Sequence, residues 1–384
     1  MTRRLVILTE IISPYRIPLF NELARSEGIE LHVIFLAETD PDLRQWRVYK
    51  EEIKFSYQVL PSWRKRVAGH NVLLNRGVGR ALRAAAPDAI LCGGYNYFAS
   101  WQALRWARSH GVPFLLWSES HAHERRRPRP AVEFLKDTFL RKCSGFVVPG
   151  QAALEYLREH RINDEIIFTA PNAVDNEFFA AGAAAARENA ATLRRELNLP
   201  ERYFLFAGRL VREKGVFELL SAYAKLQEQV RRQIGLVFVG DGESKKQLEA
   251  RAAAISLSSG VIKFAGFAHR EQLAAYYGLA EMLILPTYSD TWGLVVNEAM
   301  ACGLPVILSS AAGCGVDLVR DGWNGLTIPP RDVTSLAAAM DSLAREPALC
   351  ATMGTNSAQH ISHYSSPQWA HGIARAVEVI GRDA

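Results

Sequence analysis

The stretch Leu283–Leu308, LILPTYSDTWGLVVNEAMACGLPVIL, constrains the fold of this chain more than any other. It reads as a buried strand (Met282–Leu285), a polar loop (Thr287–Thr291), a helix from about Leu294 to Cys302, a Gly-Pro break and a second strand (Val306–Leu308). Short apolar runs bounded by turn residues predict parallel strands covered on both faces. The expected class is therefore α/β. The helix begins right after Gly293, where its first N–H groups lack intrahelical partners and its dipole is positive. A helix start at the carboxyl end of a parallel strand is an anion site, above all for phosphate. Two carboxylates flank it, Asp290 in the loop and Glu298 one turn into the helix, with seven residues between them. Each can reach past an anion at the helix tip to a sugar hydroxyl. The plainer alternative is that Asp290 caps the helix and Glu298 is a solvated helix residue.

At 384 residues the chain is too long for one ordinary core, so two domains are expected. A net charge of +5 does not by itself favour nucleic acid over acidic small molecules or an anionic membrane. The five cysteines are odd in number and scattered, without Cys-x-x-Cys or Cys/His spacing, which excludes a zinc site or disulfide framework as the organising device. There is no apolar run of 18 residues to span a membrane, and the apolar start of the chain is broken by Thr9 and Glu10. It reads as a first core strand, and the cytoplasm is the expected location.

That first strand, Leu5–Leu8, runs into a loop carrying Ser13, Tyr15 and Arg16. Loops after strands face the ligand crevice of an open α/β sheet, so these three are candidates to approach a substrate, or simply a Pro-punctuated turn. Leu31–Leu36 is a second strand. Between Pro61 and Arg83 lie Arg64, Lys65, Arg66, Arg76, Arg80 and Arg83, interleaved with Trp63 and aliphatics and without any acidic residue. That fits an anionic membrane contact or an ordinary solvated helix equally. Tyr95 follows the strand Ala89–Cys92. Glu119 and His121 follow the strand Phe114–Trp117, two residues apart and so able to point the same way. The arginine-rich run Glu124–Arg129 is a candidate for an acceptor anion or a membrane surface.

In the second half, Phe204–Ala207 is a strand that enters Gly208-Arg209-x4-Lys214-Gly215. Arg209 can grip two oxygens at once and Lys214 supplies a compact point charge, although basic loops of this kind are common. Leu236–Val239 leads into a tight turn at Gly240, and Ile262–Phe264 leads into Phe267 and Ala268.

Two motifs here resemble those of the retaining family 4 glycosyltransferases: Gly-Arg-x4-Lys-Gly, and an acidic-x7-acidic signature followed by Ala-Met-Ala-x-Gly-x-Pro-Val-Ile. The chain has Asp290-x7-Glu298, then Ala299-Met300-Ala301-Cys302-Gly303-Leu304-Pro305-Val306-Ile307. It departs from the family in having Asp where the first acid is Glu, which shortens the reach by roughly 1.5 Å. The first-strand loop also lacks the Gly-Gly pair common in the family.

The resemblance implies the GT-B fold: two Rossmann-like α/β domains facing across a cleft, with a C-terminal helix crossing back to the first. It implies an acceptor-binding domain over 1–175, a linker over 176–200, a nucleotide-sugar domain over 201–365 and a returning helix over 366–384. Gly208, Arg209, Lys214, Gly240, Phe267, Ala268, Asp290, Thr291, Trp292, Gly293, Leu294, Val295 and Glu298 would hold the donor. Ser13, Tyr15, Arg16, Tyr95, Glu119 and His121 would meet the acceptor, with Glu119 or His121 in the role the family gives a histidine. The implied activity is metal-independent, retaining transfer of a hexose or N-acetylhexosamine from a nucleotide diphosphate sugar, UDP favoured over GDP, without a further cofactor. The acceptor would be a saccharide, a lipid-linked saccharide or a secondary metabolite. Peripheral contact with the inner face of an anionic membrane through Trp63–Arg83 is a further expectation, and nucleic acid is not expected as a partner. A nucleotide-sugar 2-epimerase or a non-catalytic scaffold of the same fold are the alternatives.

Overall fold

The computed structural model describes residues 2–40, 45–67, 70–122, 130–256 and 260–381. Its contacts divide the chain into two units, Met1–Val174 with Ser366–Ala384, and Asp175–Ser365. The arginine run 124–129 lies outside the described residues.

The first unit contains β1 (Arg3–Thr9), α1 (Ile17–Arg25), β2 (Ile29–Phe35), β3 (Ser56–Val59), β4 (Ser62–Val67), β5 (His70–Asn75), α2 (Val78–Ala85) and β6 (Ala89–Cys92). It continues with α3 (Phe98–His110), β7 (Phe114–Trp117), α4 (Pro130–Leu140), β8 (Gly145–Val148), α5 (Gln151–Glu159) and β9 (Ile167–Thr169). Seven strands form a parallel sheet in the order β3-β2-β1-β6-β7-β8-β9. Alternate residues of β1 supply two separate cores. Leu5 and Ile7 join one with Phe20, Phe35 and Trp369, while Val6 and Leu8 join the other with Ile90, Leu104 and Phe146. Burial on both faces is what a parallel sheet with crossover helices requires.

The second unit contains α6 (Asn176–Glu188), α7 (Ala190–Glu196), β10 (Tyr203–Ala207), α8 (Val216–Lys225), α9 (Glu228–Gln233), β11 (Gly235–Val239), α10 (Lys245–Ser256) and β12 (Ile262–Gly266). After these come α11 (Arg270–Leu279), β13 (Met282–Leu285), α12 (Leu294–Ala301), β14 (Val306–Ser309), α13 (Gly315–Leu318), β15 (Gly325–Ile328), α14 (Val333–Arg345) and α15 (Pro347–Ile361). Its sheet is parallel, in the order β12-β11-β10-β13-β14-β15. The last helix, α16 (Ser366–Ile380), belongs to the first unit. There Trp369 is fully buried, 5.7 Å from Phe20 and 5.3 Å from Trp117 between ring centres.

Two expectations are corrected. The stretch 176–200 is not a free linker: it forms α6 and α7, and α6 buries Phe179, Ala183 and Ala186 in the second unit. Small residues let α6 lie almost against α11, since a Cβ on Gly182 would fall 2.7 Å from that of Ala274. An Ala-rich helix shows little hydrophobic contrast, so its burial was not visible in the sequence. The basic stretch Pro61–Arg83 is not one amphipathic helix either. It begins as the antiparallel ribbon β4–β5, with Trp63 opposite Leu74, and only its end is the helix α2. Alternation along the ribbon turns Trp63 and Leu74 outward, 53% and 43% exposed. It turns Arg64 inward, where it pairs with Asp40 and, at 3.4 Å, with Glu10.

The α6–α11 contact is testable. A side chain on Gly278 of α11 would meet the Ala183 carbonyl oxygen at 2.7 Å. Gly278→Val should destabilise the protein by about 1–3 kcal/mol through overpacking, read as a lower melting temperature. An unchanged melting curve would contradict the close packing.

Candidate functional site

In an open parallel sheet the strand order reverses at one point, and the loops leaving the carboxyl ends of the two strands there diverge to form a crevice. In the second unit that point lies between β10 and β13, which pair directly while their other neighbours run off to opposite edges. The loop after β10 carries Gly208, Arg209 and Lys214, and the loop after β13 carries Asp290 through Gly293. Both sequence motifs therefore open into one crevice.

The crevice floor is backbone. Gly240 has φ +137°, and a Cβ there would lie 1.9 Å from the Gly208 carbonyl oxygen. Only glycine lets the loops after β10 and β11 cross so closely. The Leu210 N–H donates to Asp241 O at 2.9 Å, and the Tyr288 N–H donates to Glu213 O at 2.8 Å. Thr287, fully buried, places its hydroxyl 3.0 Å from the same Glu213 oxygen. These bonds hold the β10 and β13 loops side by side.

The charged groups differ in their surroundings. Arg209 is exposed, and among the described residues no ion-pair partner faces its guanidinium. Lys214 donates to the Asp290 carboxylate, with the two side chains 19% and 14% exposed. The residue at the N-cap position of α12 is Gly293, at φ +102°, which has no side chain with which to cap it. The first N–H groups of α12, at Leu294 and Val295, have no partner within the helix.

Glu298 is half-buried and accepts a 2.7 Å hydrogen bond from the Tyr277 hydroxyl. Burial pushes its carboxyl up to about 7, against a smaller lowering by the Tyr277 bond. Tyr277 is itself displaced well upward by burial and by the Glu298 charge.

Trp292 corrects an expectation. Its side chain is only 2% exposed and its indole N–H donates to buried Asn297 at 2.8 Å. It packs in the core rather than lining a sugar pocket. Thr291 is exposed in the loop beside it. Phe267, in contrast, is 38% exposed and edge-on to His269 at 5.1 Å, with Ala268 half-buried between them. It is a surface aromatic at the end of β12, available for stacking.

The first unit has its own reversal between β1 and β6. Arg16 leaves the loop after β1, donates to Thr9 Oγ1 at 2.9 Å, and lies 3.5 Å from a Glu119 oxygen. Its guanidinium stacks over Trp117 at 4.4 Å. Tyr15 packs edge-on against Trp46 at 5.9 Å, and Ser13 is buried. Tyr95 is half-buried, with burial pushing its phenol up to about 12. Glu119 and His121 do not share a face. The Glu119 side chain is 25% exposed, whereas His121 is 2% exposed and lies inside. The strand ends at Trp117, so strict alternation no longer applies beyond it.

Sequence reasoning missed Tyr277, Thr9 and Trp117. All three lie in regular elements, where a polar or aromatic residue reads as part of the core, and no local pattern marks them.

The Glu298 environment predicts a pH effect. Its folded-state value near 7 lies above the ordinary carboxyl value of 4.5, so the folded chain keeps a proton that the unfolded chain has lost. Stability should therefore fall as pH rises from about 4.5 through 7. Denaturant unfolding of Glu298→Gln against wild type should show the variant gaining relative stability between pH 5 and 8. Parallel pH profiles would rule this out.

Comparison with known proteins bears on the whole chain. The model for "Glycosyl transferases group 1" matches residues 190–360, and that for "Glycosyltransferase Family 4" matches residues 19–178. A D-inositol 3-phosphate glycosyltransferase of Frankia alni is 30% identical over 302 residues, covering 73% of this chain and 72% of that protein. Its counterpart in Streptomyces bingchenggensis is 31% identical over 240 residues, covering 60% of this chain, which spans about half (50%) of that relative's length. Among solved structures, Anabaena HepE in complex with UDP superimposes with a TM-score of 0.75 at 18% identity, over 98% of this chain and 100% of that one. That likeness shows the fold: GT-B, with parallel sheets in two Rossmann-like α/β domains.

Proposed function

Because this chain belongs to the family 4 glycosyltransferases, we propose that it moves a hexose or N-acetylhexosamine from a nucleotide diphosphate sugar to an acceptor hydroxyl, with retention at the anomeric carbon. The donor is UDP-linked in preference to GDP-linked, and neither metal nor a further cofactor takes part. The acceptor is a saccharide, a lipid-linked saccharide or a secondary metabolite. The observation that carries this reading is that the loop bearing Arg209 and Lys214 and the loop and helix bearing Asp290, Gly293 and Glu298 leave the two strands at the β10/β13 reversal, with Lys214 and Asp290 in contact.

Each group has a part in that reaction. The bond from the anomeric carbon to the diphosphate oxygen breaks, and negative charge develops on the departing phosphate. Arg209, Lys214 and the amides at Leu294 and Val295 stabilise that charge, the kind of preorganised electrostatic contribution that is often the largest in catalysis. Glu298 accepts from ribose hydroxyls, Phe267 stacks on the base, and Asp290 reaches toward a sugar hydroxyl. The acceptor oxygen attacks on the face the diphosphate leaves, and its proton passes to the phosphate oxygen. On the first unit, Arg16 and Glu119 offer a donor and an acceptor side by side for acceptor hydroxyls.

The outward face of the ribbon β4–β5 supports a peripheral contact with anionic lipid. Trp63 and Lys65 alternate onto one face of the ribbon opposite Leu74, followed in sequence by exposed Arg76, and an aromatic among cations is a membrane-interface arrangement. Among the described residues no helix is long and apolar enough to cross a membrane. Co-sedimentation with phosphatidylglycerol vesicles should fall with Trp63→Ser and with added salt; equal sedimentation of variant and wild type would remove the contact.

A thermal-shift panel of UDP, GDP, ADP and their sugar conjugates tests the donor. A ligand at 100 times its dissociation constant adds about 2.7 kcal/mol of stability. Arg209→Ala should abolish both the shift and transfer while leaving the unliganded melting temperature within a few degrees. A variant that keeps a tenth of wild-type turnover contradicts the phosphate role. Conversion of the nucleotide sugar without any acceptor would indicate an epimerase, and no shift with any nucleotide a scaffold.

A further inference from the structure

Lys214 meets a carboxylate before it meets a donor. Its ammonium is bonded to Asp290, and both side chains are largely shielded, at 19% and 14% exposure. Charges so placed act on one another more strongly than at an open surface. The same Asp290 carboxylate also lies at the start of α12, one oxygen 3.6 Å from where a Gly293 side chain would begin. It therefore occupies the neighbourhood of both groups that attract a phosphate, the ammonium and the helix N-terminus.

The backbone of Asp290 has little room to retreat. The Gly313 N–H donates to its carbonyl at 2.9 Å, and Asp290 pairs with Ala312 as a short parallel bridge. On the other side the Tyr288 N–H is tied to Glu213 O at 2.8 Å, next to Lys214 in the chain. Relief of repulsion between an arriving diphosphate and this carboxylate must come from rotation of the side chain. When the diphosphate carries a sugar, the rotated carboxylate gains a hydroxyl as partner. When it carries none, the carboxylate gains nothing and like charges remain close, which is unfavourable. An aspartate, one methylene shorter than glutamate, is held near Lys214 by its own length.

We propose that Asp290 is an internal competitor for Lys214 that makes the site discriminate against the free nucleoside diphosphate and in favour of the nucleotide sugar. The inference rests on the donor reading above. In it Asp290 has a repulsive role toward the leaving product as well as an attractive one toward the sugar, and specificity is commonly built from both. After transfer the diphosphate loses its sugar, the carboxylate returns to the ammonium, and release is aided.

The test is isothermal titration of wild type, Asp290→Asn and Asp290→Ala with UDP alone, or with GDP or ADP if only that nucleotide raises the melting temperature. Both variants should bind the nucleotide about tenfold more tightly than wild type. The gain should shrink in a Lys214→Ala background, as a double-mutant cycle would register. Unchanged or weaker nucleotide binding by the variants overturns the proposal and leaves the donor reading standing, since contact with the sugar alone predicts that result. An equal gain in the Lys214→Ala background also overturns competition for Lys214. Failure of wild type and variants alike to bind any of the three nucleotides refutes the donor reading itself, and the proposal with it. Melting curves of the unliganded variants confirm that the comparison is made on folded protein.

Discussion

A parallel strand cannot be joined to its neighbour by a tight turn, and it buries both of its faces under the helices that make the connection. The central strands of the two large sheets obey this constraint, β1, β6, β7 and β8 in one and β10, β11, β13 and β14 in the other, while the edge strand β3 stays largely exposed. These central strands are consequently almost wholly apolar, and polar chemistry is displaced to the loops at their carboxyl ends. Where the strand order reverses, two such loops separate, and backbone amides and charged side chains can gather without breaking the core. The second unit places its arginine, lysine and helix start there. The first unit places Arg16 and Thr9 at its own reversal, with Glu119 drawn in from the neighbouring strand end.

Within that frame the charges are graded by burial and partner. Arg209 is exposed, Lys214 is already neutralised by Asp290, and Glu298 has been made a weaker acid by burial beside Tyr277. The crevice is therefore positive but not uniformly so. The uncapped helix is the component that costs least, because its N–H groups are oriented by the fold and need no side chain to be held in place. The lacing of the β10, β13 and β14 loops by backbone bonds keeps these groups in register.

The strand–loop–helix plan was legible because buried parallel strands leave short apolar runs between turn residues. Thus Ala89–Cys92, Phe114–Trp117 and Met282–Leu285 appear in the structure with the same ends as in the sequence reading. What escaped were elements whose partners are distant or whose composition is bland. The strand β3 and the ribbon β4–β5 carry too many polar residues to show their alternation, and α6 is too rich in alanine to reveal a buried face. In the candidate site the motif residues Arg209, Lys214, Asp290 and Glu298 were readable from local spacing. Tyr277, 21 residues from Glu298 on another helix, was not.

By itself the sequence determined the α/β class, the family, the two motifs and the helix that starts after Gly293, because each is encoded by residues close along the chain. Only the tertiary structure decided that Trp292 turns into the core, that His121 is buried while Glu119 is partly exposed, and that Asp290 pairs with Lys214. Those outcomes depend on which side chain finds space and charge between residues far apart in sequence, 76 positions apart for Lys214 and Asp290. Local pattern carries no information about that choice; packing and electrostatics make it once the strands have come together.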